Sequence, residues 1–253
     1  MAPGGPWRQA CELHDPLPYA VTLCMPLTNW DDLREQLASL PPVTYPLDES
    51  PEGAIAHSRQ ITTVAAICCE AFRRYGLKAV LVGGGVIEFM MPGAYTTPDI
   101  DLVVSRERLK PPRALVSDVF SAIGFHPSGA RHWVRDGWFV EVPDFDITDP
   151  TMVVEVAGHK LTMVVPESIL IARLVEYDQT GHTGHATQAF MMLSVLSEAL
   201  DDAELTRMAK TEGVYDLLLA ARAFLARPQH PMLTDSSLRH LRDSVRAQRY
   251  QSP

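Results

Sequence analysis

The apolar run Ala79-Val80-Leu81-Val82 stops at three consecutive glycines, Gly83-Gly84-Gly85, and a second apolar run opens with Asp99-Ile100-Asp101. Both runs have the length and β-branched content of buried strands. A strand points residues i and i+2 to the same face, so Asp99 and Asp101 aim at one point. Glycines directly after a strand let the backbone turn sharply and let another group approach it closely. Together these segments demand an α/β arrangement in which a glycine turn and a carboxylate pair meet at one end of neighbouring strands.

Two carboxylates that close repel unless a cation lies between them. Mg²⁺, or Mn²⁺ in its place, suits such a pair, because it takes a few carboxylates and fills its other positions with water and phosphate oxygens. The glycines suit a phosphate held at a helix N-terminus. A glycine turn for phosphate and a carboxylate pair for metal are what phosphoryl or nucleotidyl transfer needs. A dinucleotide-binding turn is the rival reading, and two features oppose it. Glu88 stands where the last glycine of G-x-G-x-x-G belongs, and the two acids begin a strand rather than end one.

The bulk numbers narrow the field. The net charge of −9 argues against a broadly cationic nucleic-acid surface. The charge is uneven: from Arg222 onward six arginines face Asp235 and Asp243. The four cysteines, Cys11, Cys24, Cys68 and Cys69, have no zinc-ligand spacing and suggest no disulfide framework, which points to a reducing, cytoplasmic setting. No signal-peptide pattern and no membrane-spanning run is evident.

The chain divides into three stretches. Residues 1–52 form a proline-rich arm with a short helix near Trp30–Leu40, capped by Asn29 or Asp31. Residues 53–165 alternate helix and strand: helix from Ala54 to Tyr75 closed by Gly76, strand Lys78–Val82, a short helix Val86–Met91, strand Ile100–Val104 and a helix from Pro112 to Ile123. Two hairpins follow, 132–135 with 138–142 turning at Asp136-Gly137, and 152–156 with 160–165 turning at Ala157-Gly158. Residues 166–253 read as helices throughout, near 167–178, 185–200, 202–210, 212–226 and 236–249. The expectation is an α/β module followed by an all-helical domain.

A strand, Gly-Gly, a short helix, a loop with Thr97, then Asp-x-Asp heading a strand resembles the nucleotidyltransferase superfamily that shares its fold with DNA polymerase β. Gly84-Gly85 (or Gly83-Gly84), Thr97, Asp99 and Asp101 carry the likeness. The resemblance implies a mixed α/β sheet flanked by helices, with a third carboxylate on a neighbouring strand. Glu141 fits that place, where the family more often has Asp; Asp144 and Asp146 are alternatives. The stretch Pro166–Leu174 is similar to the post-sheet helix of bacterial nucleotidyltransferase-like proteins of abortive-infection and toxin–antitoxin systems, with Arg173 where Lys is usual. The likeness spans roughly 78 to 195 and makes 53–165 the catalytic domain.

What the resemblance implies is specific. Asp99, Asp101 and Glu141 would be catalytic and metal-holding; Gly83, Gly84, Gly85, Thr97 and Arg173 would bind a nucleoside triphosphate such as ATP. The acceptor would be a hydroxyl on an RNA end, a protein or a small molecule such as an aminoglycoside, and a partner protein fits a toxin–antitoxin setting. A catalytically silent relative of the same fold, acting as a binding or antitoxin-like protein, is the alternative.

Other motifs invite simpler readings. His182 and His185 have metal-like spacing but read as a solvated loop with no third ligand. Met191-Met192 reads as core filler. Leu238, Leu241 and Val245 form an apolar stripe set among arginines, which reads as docking on the preceding helices.

Overall fold

The computed structural model describes residues 29–43, 47, 50–106, 109–143, 146–227 and 233–251. Most of the proline-rich arm, Cys11, Cys24 and Asp144 lie outside the described residues. The expected helix near Trp30 is α1 (Asp31–Ser39), but its N-cap is Trp30, with no side-chain cap bond, rather than Asn29 or Asp31; Asn29 Oδ1 accepts instead from the Asp31 N–H at 2.9 Å. The long helix α2 (Pro51–Arg74) starts three residues earlier than the apolar pattern suggested, because Ser50 caps it by accepting from the Gly53 N–H at 3.1 Å. Gly76 ends it at φ +73°, and Leu77 N–H reaches back to Phe72 O.

Strand β1 (Lys78–Val82) runs into Gly83, and α3 (Gly84–Met90) starts at the second glycine. The expected start at Val86 is therefore two residues late: Gly84 and Gly85 form the first turn itself. Strand β2 (Asp99–Ser105), α4 (Arg113–Ala122), a two-residue edge strand β3 (His126–Pro127), β4 (His132–Arg135) and β5 (Trp138–Glu141) follow. The hairpin turn between β4 and β5 has positive φ at Asp136 and Gly137; that between β6 (Thr151–Val156) and β7 (His159–Val164) has it at Ala157 and Gly158. Both fit the mirror-image two-residue turns that strand twist favours.

The seven strands form one mixed sheet in the order β3-β4-β5-β2-β1-β7-β6. β1 and β2 are antiparallel, whereas β1 with β7 and β2 with β5 are parallel. Alternation along β2 sends Ile100, Leu102 and Val104 into the core and leaves Asp99 and Asp101 half-buried on the opposite face. The core side is covered by α2, which packs on β1, β2 and β7.

After the sheet come α5 (Pro166–Thr180), α6 (Thr183–Val195), α7 (Asp202–Thr211), α8 (Tyr215–Leu225) and α9 (Asp235–Gln251). Sequence periodicity carried the second of these on to residue 200; the helix ends at Val195, before a turn. They pack mainly on one another, and α5 also touches α3. The arginine-rich helix α9 is docked as its stripe suggested. Leu238 and Val245 are buried, and Arg249 pairs with both Asp178 and Asp216. Met192 is fully buried, and Met191 packs partly buried against the core. No helix among the described residues is long and apolar enough to cross a membrane.

Candidate active site

Register builds the site. Parallel pairing of β2 with β5 puts Asp101 opposite Glu141, and antiparallel pairing of β1 with β2 puts Val82 opposite Asp101. The carboxylates of Asp99, Asp101 and Glu141 each offer an oxygen within 4.8 Å of the other two, and all three residues are half-buried. Among the described residues this is the one group of three or more metal-ligating side chains so placed. Asp146 lies exposed in the loop beyond β5.

Three oxygen donors at mutual reach, partly open to solvent, could hold a hard divalent cation. Its electrostatics fit a cation as well. Burial, then the charges of Asp99 and Glu141, push the Asp101 carboxyl up to about 7, against the pull of Arg173 and His132. A positive charge among the three would relieve that repulsion. His132 Nε2 lies 3.3 Å from Glu141 Oε2.

The glycines are required by close approach. Gly83 has φ +62° and ψ −142°, and a Cβ there would overlap Asp101 Oδ2. A Cβ on Gly84 would lie 2.8 Å from Thr97 Cβ and Oγ1 and 3.1 Å from the Tyr95 ring. Gly85 is less constrained, since its Cβ would meet only the flexible end of Leu81 at 2.8 Å. So the turn lies directly against the carboxylate-bearing strand and the loop before it.

Thr97 is held from several sides. Its hydroxyl donates to Asp99 Oδ1 at 3.0 Å, its N–H donates to Glu88 Oε1 at 2.5 Å, and its carbonyl lies 3.1 Å from His57 Nε2. Burial pushes the Glu88 carboxyl up, opposed by the hydrogen bond from the Thr97 N–H and by His57, and its Oε2 is buried without a partner. Sequence reasoning used Glu88 only to dismiss a dinucleotide turn. The signal for more was present: Glu88 is the lone charge in Val86-Ile87-Glu88-Phe89-Met90-Met91.

Arg173, on α5, donates from Nη1 to Glu176 Oε2 at 2.7 Å, while its Nε is buried without a partner. Its charge also reaches Asp101. Arg173 is thus in a salt bridge on its own helix and also within electrostatic range of the triad. One of the two histidines differs from its expected setting. His182 stands at the N-cap of α6 and His185 in its first turn, with His185 Nδ1 3.0 Å from Glu176 Oε2. His182 is exposed just before the helix, as expected, whereas Ala186, Ala189 and Phe190 bury the helix and leave His185 half-buried within it.

No family model matches the chain, and no curated protein does. Among solved structures, the chain is similar to an antigenic nucleotidyltransferase-like protein from Paracoccidioides brasiliensis, at 15% identity and a TM-score of 0.45, over 64% of this chain and 92% of that one.

Proposed function

We propose that this protein is a metal-dependent nucleotidyltransferase that moves a nucleotidyl group from a nucleoside triphosphate to a hydroxyl acceptor. The observation that carries the reading is the convergence of Asp99, Asp101 and Glu141 within 4.8 Å, with the Gly83 backbone against Asp101. A divalent cation bound by the three carboxylates would supply positive charge to the triphosphate. The chain's own residues do the rest. Without side chains, Gly83 and Gly84 pack directly against Asp101 and Thr97, which brings the backbone of the turn beside the carboxylates, where it can meet a phosphate. Arg173, released from Glu176, is placed to offset charge that develops on the departing phosphates. Glu141, with His132 beside it, is the candidate to take the proton of the attacking hydroxyl. In this reading residues 53–165 carry the chemistry and 166–253 supply Arg173.

The test is incubation with each α-labelled nucleoside triphosphate plus Mg²⁺ or Mn²⁺, with and without total RNA, followed by locating the label. Label should move to protein, RNA or a small molecule in the wild type and stay on the nucleotide in Asp99→Asn. Transfer that persists in a folded Asp99→Asn/Asp101→Asn double variant would refute the assignment.

A further inference from the structure

The buried acid on α3 lies off the metal triad, yet it is tied to it through Thr97. Glu88 and Thr97 are both buried, Glu88 completely. A buried peptide group needs partners for its N–H and C=O. Thr97 lies between α3 and β2, outside either ladder, so side chains must supply them. Glu88 takes the N–H at 2.5 Å, and His57 Nε2 meets the carbonyl at 3.1 Å. The pairing requires the His57 proton on Nε2, since a carbonyl only accepts. The His57 ring is itself fixed by stacking on Trp138, 5.7 Å between centroids.

Two consequences follow from a Thr97 peptide pinned in this way. Its hydroxyl, donating to Asp99 Oδ1 at 3.0 Å, sets the direction of that carboxylate. Its side chain also rests on Gly84, where even a Cβ would come within 2.8 Å. Pro98 locks φ between Thr97 and Asp99 and leaves little slack in the link. Glu88 sits one turn along the same short helix that begins at Gly84. The glycine turn and the metal-ligating strand are therefore joined through one residue.

We propose that Glu88 is a positioning residue: with His57 it fixes the Thr97 peptide and so sets both the aim of the Asp99 carboxylate and its spacing from the glycine turn. The inference rests on the reading of the triad as a metal site. It explains why a carboxyl is buried in an apolar helix, where an unpaired acid would be costly.

The test is titration of Mn²⁺ into the whole protein with a non-hydrolysable nucleoside triphosphate analogue, followed by electron paramagnetic resonance, with circular dichroism to check folding. Glu88→Met keeps the volume and loses the acceptor. It should weaken Mn²⁺ binding by about 10- to 100-fold, the usual cost of removing a group that orients a metal ligand. Glu88→Gln keeps a carbonyl for the Thr97 N–H and should bind Mn²⁺ nearly as the wild type does. His57→Leu removes the other hold on the same peptide and should weaken binding in the same direction. A folded Glu88→Met variant with wild-type affinity, or a Gln variant as impaired as Met, overturns the inference. If the Met variant does not fold, His57→Leu decides, and unchanged affinity there overturns it. Wild-type protein that binds no Mn²⁺ overturns the metal-site reading and this inference with it. Wild-type binding with an unaffected Met variant overturns the inference alone.

Discussion

Replacing Asp101 by Asn should make the metal-free protein more stable at alkaline pH and leave it unchanged near pH 4. The folded state holds the Asp101 proton up to about 7, whereas the ordinary value is 3.8. Folded protein therefore binds a proton that the unfolded chain has already lost, and stability falls as pH rises between those two values. Above about 7 both states are ionised and the loss is complete. Roughly three pH units at 1.36 kcal/mol each set a ceiling of about 4 kcal/mol. Asn carries no charge to desolvate and does not repel Asp99 or Glu141, but its amide must still be half-buried, so a gain of about 2–4 kcal/mol at pH 8 is expected. Urea unfolding in a chelator, at steps from pH 4 to 8.5, measures this directly. The wild-type midpoint should drop across the range while that of the variant stays closer to level. Mg²⁺ with a nucleoside triphosphate should reverse the order, because only the wild type gains from binding. A wild-type stability that is flat or rises with pH relative to Asp101→Asn would refute the reasoning.

Gly83→Ala should cost about 1–3 kcal/mol in thermal or urea unfolding, from a strained backbone and the overlap with Asp101 Oδ2; a variant as stable as wild type would show that the turn relaxes freely. Arg173→Ala should weaken nucleotide binding by about 1.5–3 kcal/mol, with Arg173→Lys recovering much of it, as read by calorimetry; acceptor affinity should hold. In a Cys11→Ser/Cys24→Ser background, native protein should resist thiol reagents at pH 8. Burial pushes Cys69 up to about 12 and Cys68 well above the usual thiol range, so both should react only after urea unfolds the chain.

How far the sequence revealed this arrangement depends on the range of each interaction. Strand β1 was legible residue for residue, because a short apolar run between Lys78 and the glycines has one reading. The hairpin turns were legible from Asp136-Gly137 and Ala157-Gly158, since the backbone there is set by its own residues. The neighbouring of β5 and β2 was not, because it joins strands with a helix and a hairpin between them and no local pattern encodes it. Glu141 entered only through a family likeness, and the register then placed it opposite Asp101. The tie from Glu88 to Thr97 was missed for the same reason: periodicity shows that a residue is out of character, and only tertiary packing shows what it touches. The glycines read as a turn ahead of a helix starting at Val86, yet Gly84 and Gly85 belong to its first turn, with Gly84 packed on Thr97, a contact no local pattern encodes.

The docking of α9 has a kinetic meaning. Arg249 joins Asp178 across 71 residues, and the Tyr177 hydroxyl donates to the Leu238 carbonyl across 61. Both anchor points lie on α5, the helix that carries Arg173. During synthesis that helix emerges long before its last partners exist, so α5 must wait with Asp178 and Tyr177 unmatched while more than sixty residues follow. Contacts of such long range are slow to form, since the loop must close before they reward it. The strands and their carboxylates all lie in the first two-thirds of the chain, whereas α5 gains these two anchors only once α9 has been made.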